Sequence, residues 1–303
     1  MADGRNDLQN GLVKLGVIGG SGVYGINGAK VVAEYNIETA FGPPSDKVFE
    51  LQPDSVTADS FYFVPRHGIG HRLLPSEINY RANILALQQM GVSHVLSVSA
   101  VGILADGIHP GDLVIPDQFF DRTKGVREST FFGGGVVGHV SFGTPFCPIF
   151  SDIAAHSAAA HGTVHKGGTY VCMEGPQFST KAESIFYREQ LKATVVGMTG
   201  LPEAKLAREA GLHYAMLALA TDYDCWNEAE GEVSAAAVVA VVRSNVAKAN
   251  RVILDLAGKI SAESHSAASL QSCSCASATS HAVMTDPSRI SDPARERLRG
   301  IIS

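Results

Sequence analysis

The sequence predicts a single α/β domain in which a central mixed β-sheet is flanked by helices. Three observations predict this fold class. Short apolar runs with β-forming residues recur along the chain, segments with helical spacing lie between several of them, and 45% of the 303 residues are hydrophobic. Such alternation is typical of a sheet with helices on its faces, and this apolar content is enough to build a large core.

Seven of the apolar runs are predicted strands, because each is short and most are rich in β-branched or aromatic residues. In chain order they cover residues 15–18, 61–64, 94–98, 113–115, 169–172, 194–196 and 214–220. Several of these runs lead into small or polar residues. Ligands of open α/β sheets bind at the carboxyl ends of strands, so the residues that follow the runs are the candidates for function.

Four helices are expected from the spacing of apolar residues. The first covers residues 78–90, begins after the capping residue Ser76 and places Ile78, Ala82 and Leu85 on one stripe. The others cover residues 179–191, 203–210 and 233–256. Gly211 is expected to cap the end of the third.

The two ends of the chain differ from its middle in composition. Residues 1–11 are predicted to be an N-terminal extension, and residues 12–258 contain no linker that would divide them, so they are predicted to form one domain. Residues 259–303 open with a Ser/Ala-rich stretch that has little bulky apolar material. We expect this segment to be a surface tail or mobile loop, with one short helix near residues 292–302.

Charge and cysteine content limit the expected partners and compartment. With 24 basic and 30 acidic residues the net charge is -6, and no basic run is present to neutralise nucleic-acid phosphates. No apolar run reaches the length of a membrane span, and no secretory signal pattern is visible, so a cytoplasmic protein is expected, with the nucleus as a second candidate. The five cysteines include no CxxC pair, so neither a disulfide framework nor a metal site is expected. Cys273 and Cys275 are expected to be free thiols in a reducing compartment, and a strained small ring closed by a disulfide between them is the alternative.

A glycine-rich segment over residues 19–25 follows the first predicted strand. It contains the GxGxxG pattern of dinucleotide-binding folds, but only five residues separate Gly25 from the next strand-like run at Val31. No crossover helix fits in that space. A narrower interpretation is a turn that exposes backbone N–H groups and the Ser21 hydroxyl to an anion. A tight turn without a ligand is the alternative.

Arg66 and His67 directly follow the second predicted strand. A guanidinium fork beside an imidazole supplies several donors and up to two positive charges, which suits an oxyanion such as phosphate. His71 lies four residues after His67, but the glycines between them disfavour a helix and no carboxylate completes a metal site. Ser99 lies among small residues after the third strand, where a ligand can approach the backbone.

Two acids follow the last predicted strand. On an extended chain Asp222 and Asp224 point the same way, roughly 7 Å apart along the backbone, and a solvated turn is the alternative. Adenine presents an acceptor at N7 beside a donor at N6, so a protonated aspartate and an ionised one would complement it. Burial and mutual repulsion would raise the pKa of one member of the pair, which makes one aspartate a candidate general acid.

Seven motifs together carry a family resemblance. In order along the chain they are GVIGGSG, PRHGxxH, PSEINYRANILAL, PGDLVIPDQFFDRT, EGPQFSTKAES, Met198-Thr199 and ATDYDCW. Over about residues 12–257 the chain resembles the 5′-methylthioadenosine phosphorylase family of the trimeric purine nucleoside phosphorylase superfamily. The resemblance implies a purine nucleoside phosphorylase-like fold and a homotrimer that serves purine and methionine salvage. It implies that inorganic phosphate, as co-substrate, cleaves the N-glycosidic bond of 5′-methylthioadenosine without a metal or organic cofactor.

The resemblance also implies a role for each matching residue. The implied phosphate site consists of Ser21, Arg66, His67, Ser99, Ala100 and Thr199. The implied base site consists of Phe178, Ser179, Asp222, Tyr223 and Asp224, with Asp222 as the proton donor. Met198 would pack on the ribose, and the implied 5′-pocket contains Val233, Ala235, Val239 and His139 of a neighbouring subunit.

Alternatives to this reading remain open. A 6-oxopurine nucleoside phosphorylase acting on inosine or guanosine is expected to carry asparagine at position 222 and glutamate near position 179, where this chain has Asp222 and Ser179. A catalytically silent nucleoside-binding protein on the same scaffold is the second alternative. Adenosine is a further candidate substrate, because Ala235 replaces a valine common in relatives and the chain after residue 258 does not match the family.

Overall fold

A branched mixed β-sheet of eleven strands organises the computed structural model, which describes residues 13–23, 25–55, 58–227, 235–263 and 273–302. The strands are β1 Leu15–Gly19, β2 Ala29–Tyr35, β3 Val48–Pro53, β4 Phe61–Pro65, β5 His94–Ile103, β6 Leu113–Ile115, β7 Gln118–Arg122, β8 Val164–Lys166, β9 Thr169–Met173, β10 Val195–Gly197 and β11 His213–Asp222. All seven predicted strands are confirmed.

Six α-helices flank this sheet within the described residues. They are α1 Tyr80–Gln89, α2 Pro148–Ala159, α3 Lys181–Glu189, α4 Gly200–Glu209, α5 Ala235–Glu263 and α6 Asp292–Arg297. None of the helices within the described residues is long and apolar enough to cross a bilayer.

The strand order brings four carboxyl ends to one edge of the sheet. β4, β1, β5 and β11 are neighbours in that order and all run parallel. β5 is long enough to pair also with the antiparallel β10, where the sheet branches. The residues that follow β1, β4 and β11, and those at the carboxyl end of β5, therefore meet at one edge. This is the usual ligand-binding edge of such sheets.

The core lies on both faces of the sheet, because alternate side chains of a strand point to opposite faces. On β5, Val95 belongs to one buried cluster and Leu96 to the other. Helices α1, α4 and α6 contribute to the first cluster, and α2 and α5 contribute to the second. The central strands are thus covered on both sides, as expected for parallel strands that read as continuous apolar runs.

The predicted elements differ from the observed ones mainly at exposed positions and helix ends. Four strands were not predicted, among them the edge strand β2, whose Val31 and Val32 are 53% and 56% exposed. Helix α2 was also missed. The expected cap Ser76 is wrong, because Asn79 is the N-cap of α1 and its side chain accepts from the Ala82 amide. Gly211 follows α4 with a φ of 70, as a C-terminal glycine should.

The end of the chain departs most from expectation. Helix α5 continues to Glu263, past the predicted boundary at residue 258. Residues 273–302 are not a surface tail, because Leu298 is fully buried and Cys275 and Ile301 are each 3% exposed. The short helix expected near the terminus is confirmed as α6. Spaced apolar residues packing on the body of the protein explain the difference.

Leu298→Ala tests the packing of this C-terminal segment. Removing a fully buried leucine side chain leaves a cavity, and we expect a loss of about 2–5 kcal/mol in the free energy of unfolding. The measurement is urea unfolding. Leu74→Ala is the matched control, because Leu74 is 45% exposed and its loss should cost far less. Equal effects of the two substitutions would contradict the packing described here.

Candidate active site

The turn after β1 lies against the ends of β4 and β5. A Cβ atom on Gly20 would lie 2.5 Å from the carbonyl oxygen of Val98 and 2.9 Å from Nη1 of Arg66. The close approach therefore requires glycine at this position. The GxGxxG pattern is explained by this contact and not by a nucleotide-binding crossover, because β2 follows directly and no helix lies between the two strands in the described residues.

Arg66 is buried beneath this turn and uses most of its donors within the protein. Its Nε and Nη2 donate to the two carboxylate oxygens of Glu203 at 2.7 and 3.0 Å. Nη2 also donates to Ser97 Oγ at 2.7 Å, and Nη1 donates to Val98 O at 2.9 Å. A guanidinium has five N–H groups, so one N–H of Nη1, beside Gly20, is left for a ligand.

Glu203 was missed as a functional residue by the sequence analysis. It lies in α4, its side chain is 1% exposed, and it also accepts from Tyr214 Oη at 2.9 Å. Burial by itself would lower the pKa of Arg66, but the Glu203 carboxylate outweighs this and raises the pKa above its ordinary value. The guanidinium is therefore a permanent positive charge held in a fixed orientation.

His67 is a neutral member of the site at physiological pH. Its Nδ1 lies 2.9 Å from Leu73 O, so Nδ1 carries the proton and donates it. The pKa of His67 is lowered to about 4, chiefly by burial and also by the neighbouring Arg66 and His71, while the hydrogen bond to the Leu73 carbonyl acts in the opposite direction. The two positive charges considered from the sequence are thus reduced to one, and Nε2 of His67 is an acceptor.

Two hydroxyl groups lie on the same side of the cleft. Ser99 Oγ and Thr199 Oγ1 are 3.4 Å apart, and both residues are at most 5% exposed. Thr199 directly precedes α4 and makes no capping bond with its side chain, and Leu201 interrupts the first turn of that helix with extended backbone. Both hydroxyl groups can donate hydrogen bonds, which suits an anion. Half-buried Ser21 and Ala100 adjoin Gly20 and Ser99 in the chain.

Asp222 and Asp224 meet through a turn. The register of β11 shifts between Ala220 and Asp222, and Asp224 has a φ of 49. The Asp224 amide donates to Asp222 Oδ1 at 2.9 Å. Their predicted alternation along an extended chain is therefore wrong, although both acids do face the same neighbour. A Cβ atom on Gly102 would lie 3.3 Å from Asp222 Oδ1 and from Asp224 Cβ.

Burial raises the pKa of both acids. For Asp222, hydrogen bonds from Thr221 Oγ1 at 2.6 Å and from the Asp224 amide oppose this rise, while the charge of Asp224 adds to it. Asp224 is 4% exposed, and its Oδ2 has no hydrogen-bond partner among the described residues. Two interacting acids of this kind lose their protons in two steps that belong to the pair and not to either residue alone.

Two of the remaining base-site candidates, Phe178 and Ser179, lie on the neighbouring loop before α3. Cys225 Sγ donates to Ser179 O at 3.2 Å and so connects this loop to the Asp222–Asp224 turn. Phe178, on the same loop, is 44% exposed. Tyr223 is turned towards His109, with 2.8 Å between its Oη and the imidazole Nδ1.

A second buried ion pair, also missed from the sequence, holds this loop to Met198. Arg127 donates to Glu174 Oε1 at 2.7 Å and to Met198 O at 2.6 Å. Met198 packs on Gly175, where a Cβ atom would lie 2.5 Å from its Sδ. One arginine thus positions both segments that carry predicted nucleoside contacts. No local motif marked it, because its partners lie 47 and 71 positions away.

Of the four predicted 5′-pocket residues, His139 is the one whose side chain the structure describes. Val233 lies outside the described residues, and Ala235 and Val239 are described only as backbone of α5. The His139 amide donates to Ala282 O at 2.8 Å, and His139 lines a cavity of about 250 Å³ with Arg208. Thr199 directly precedes α4, and Arg208 lies in its last turn.

Comparison with known proteins places this geometry among nucleoside-cleaving enzymes. The family model described as the phosphorylase superfamily matches residues 14–257. An S-methyl-5′-thioadenosine phosphorylase of Geobacter sulfurreducens is 49% identical over 95% of this chain and 97% of that protein. One of Chloroflexus aurantiacus is 48% identical over 95% and 96%.

Similar solved structures are consistent with these sequence matches. A methylthioadenosine phosphorylase from an antarctic soil metagenomic library has a TM-score of 0.87 and 42% identity, covering 97% of this chain and all of that one (100%). A mutant of the adenosine/methylthioadenosine phosphorylase of Schistosoma mansoni, in complex with methylthioadenosine, has a TM-score of 0.79 and 35% identity, covering 88% of this chain and 98% of that one.

Glu203→Ala tests whether the cleft depends on the buried ion pair. The substitution leaves the Arg66 charge buried without its counter-ion, and we expect a loss of about 3–5 kcal/mol in the free energy of unfolding. Glu34→Ala is the control, because the Lys47–Glu34 pair is 45% and 46% exposed and should contribute under about 1 kcal/mol. Urea unfolding compares the two, and similar small losses would refute the claim.

Proposed function

The chain belongs to the phosphorylase superfamily, and on that premise we propose that it catalyses the phosphate-dependent cleavage of 5′-methylthioadenosine. The products are adenine and 5-methylthioribose 1-phosphate. One observation carries the proposal: the carboxyl edge of four parallel strands has groups suited to bind an anion at β1, β4 and β5, and half-buried Asp222 and buried Asp224 at β11. A phosphate and a purine would therefore lie side by side with the ribose between them.

On the phosphate side, all but one of the proposed protein groups donate hydrogen bonds to phosphate, and the remaining group accepts one from it. The free N–H of Arg66 and the hydroxyls of Ser21, Ser99 and Thr199 donate to phosphate oxygens, and Ala100 adds its backbone. His67 is neutral and donates from Nδ1 to Leu73 O, so its Nε2 accepts the O–H of monohydrogen phosphate. These contacts hold a phosphate oxygen against C1′ of the nucleoside, which turns bond formation into an intramolecular step.

On the purine side, the acid pair stabilises the leaving group. As the C1′–N9 bond breaks, its electrons pass to the base, and Asp222 gives its proton to N7 while a phosphate oxygen bonds to C1′. Asp224 accepts from the 6-amino group through its buried, unpartnered Oδ2. General acid catalysis of this kind contributes about 10²–10⁴-fold to the rate. Phosphate is the co-substrate, and the proposed chemistry uses no metal or organic cofactor.

The base site favours aminopurines over 6-oxopurines. An Asp222–Asp224 pair offers a donor to N7 and an acceptor to the amino group, whereas a 6-oxo group would face the acceptor with another oxygen. Adenosine is a second proposed substrate, because the Schistosoma mansoni relative is described as acting on both nucleosides. Preference between the two depends on the 5′-pocket, for which Val233, Ala235, Val239 and His139 are the proposed lining.

The substrate test compares methylthioadenosine, adenosine and inosine in a spectrophotometric assay with and without phosphate. We expect phosphate-dependent turnover of the two adenine nucleosides and a kcat/KM for inosine at least about 100-fold lower, because a mismatched buried polar pair is strongly rejected. Faster cleavage of inosine would support the 6-oxopurine alternative. Binding of all three without turnover would support the silent nucleoside-binding alternative.

Asp222→Asn tests the proton donor, with Asp224→Asn as the matched variant. A general acid must be protonated, so kcat/KM falls as pH rises through the raised pKa of Asp222. Asparagine cannot transfer a proton, and we expect Asp222→Asn to lower kcat about 10²–10⁴-fold and to remove this alkaline fall, with the KM for phosphate unchanged. Asp224→Asn should mainly raise the KM for nucleoside. The reverse pattern would assign the acid to Asp224.

We also propose that the protein is a cytoplasmic homotrimer in which His139 of one subunit completes the 5′-pocket of the next. His139 is exposed and lines a cavity with Arg208, near the end of α4 away from Thr199, which supports a role outside its own cleft. Light scattering measures the mass of the assembly. His139→Ala should raise the KM for methylthioadenosine and leave the KM for phosphate unchanged, and a monomeric active enzyme would contradict the proposal.

A further inference from the structure

Four potential metal ligands from three distant parts of the chain converge at the amino end of β11. They are Cys147, His213, Cys273 and Cys275, and their sulfur and imidazole nitrogen atoms all lie within 4.8 Å of one another. Cys147 precedes α2, His213 is the first residue of β11, and Cys273 and Cys275 begin the described C-terminal segment. The sequence analysis considered only CxxC pairs and therefore did not find this group.

Three of the separations between these ligand atoms are close to those expected around a tetrahedral zinc ion. Zn–S bonds of about 2.3 Å and Zn–N bonds of about 2.0 Å place two sulfurs about 3.8 Å apart and a sulfur and a nitrogen about 3.5 Å apart. Cys147 Sγ and Cys273 Sγ are 3.6 Å apart. His213 Nδ1 lies 3.4 Å from Cys147 Sγ and 3.1 Å from Cys273 Sγ. The sulfur separation is far longer than a disulfide bond of about 2.05 Å.

The backbone fixes two of the ligands before any metal binds. The Cys147 amide donates to Tyr214 O at 2.8 Å, which joins the start of α2 to the residue after His213. Cys147 is the N-cap of α2, and its Sγ accepts from the Phe150 amide. His213 is held from its other side by His94, whose ring stacks on it at 4.2 Å.

The donor set and its burial select the metal class. Three cysteines and one histidine form a Cys₃His set, which is common in closed structural zinc sites and too soft for magnesium or calcium. Cys147, His213 and Cys275 are at most 4% exposed, and Cys273 is half-buried. We propose that these four residues bind one structural zinc ion that ties the C-terminal segment to α2 and β11.

The site is distinct from the phosphorolysis cleft. His213 and Asp222 are the two ends of β11, and nine strand steps of about 3.3 Å separate them by about 30 Å. Zinc at this position cannot contact the substrate. Its role is to hold a segment whose apolar residues, including Ile290 and Leu298, complete the core on the α1 and α4 face.

Metal analysis of the untagged full-length enzyme tests the proposal. The protein is purified in reducing buffer without added chelator, and bound metals are measured by plasma mass spectrometry. We expect about one zinc per chain. After removal of zinc, titration with Co²⁺ should give thiolate-to-cobalt charge-transfer bands and the intense visible bands of a tetrahedral site. Less than about a tenth of an equivalent of zinc, together with no such cobalt spectrum, would overturn the proposal.

Cysteine variants assign the ligands. The double variant Cys273→Ser/Cys275→Ser should retain less than about a tenth of the zinc of the unchanged chain. Cys225→Ser is the matched control, because Cys225 lies outside the group and its loss should leave the zinc content unchanged. Zinc retained in full by the double variant would overturn the assignment. So would a disulfide between Cys147 and Cys273, or between Cys273 and Cys275, found by mass spectrometry of the native enzyme.

Discussion

The buried ion pair of Arg66 and Glu203 is the interaction on which the cleft depends. Both side chains are at most 1% exposed, and their bidentate contact spans 137 positions in the chain. Breaking such a pair costs far more than an exposed pair contributes, because a charge is left buried without compensation. Glu203 lies on α4, whose N-terminus carries Thr199. The same contact that holds the guanidinium therefore also sets the position of a second anion-binding group.

Topology explains why the residues proposed to bind phosphate and purine share one edge of the sheet. β1, β4, β5 and β11 are parallel neighbours, so whatever follows each strand is delivered to the same place. Glycine at positions 20 and 102 then lets neighbouring chain segments come close: Gly20 to Arg66 and Gly102 to the two acids. The second ion pair, Arg127 with Glu174, holds Met198 and the loop before α3 against this edge. Arg66 and Arg127 donate most of their hydrogen bonds to groups within the protein, and this makes the site rigid.

Much of this arrangement could be predicted from the sequence, and the reasons are local. The central strands are buried on both faces, so they are recognisable in the sequence as short apolar runs. Exposed β2 and the alanine-rich helix α2 lack so clear a pattern. Arg66, His67, Ser99 and Asp222 stand out because they lie at or next to the carboxyl ends of such runs. The C-terminal segment was misjudged because its buried residues, such as Ile290 and Leu298, are too far apart to form an apolar run.

By itself the sequence determined seven of the eleven strands, the residues that follow them and, through the combination of its motifs, the family and reaction to expect. Only the tertiary structure decided that Arg66 is neutralised by Glu203, that His67 is uncharged, that a turn and not an extended strand joins Asp222 to Asp224, and that Cys147 meets Cys273. The physical reason is the range of the interactions. Propensity and periodicity act over a few residues, whereas burial, ion pairing and ligand geometry depend on contacts between segments 126 or 137 positions apart.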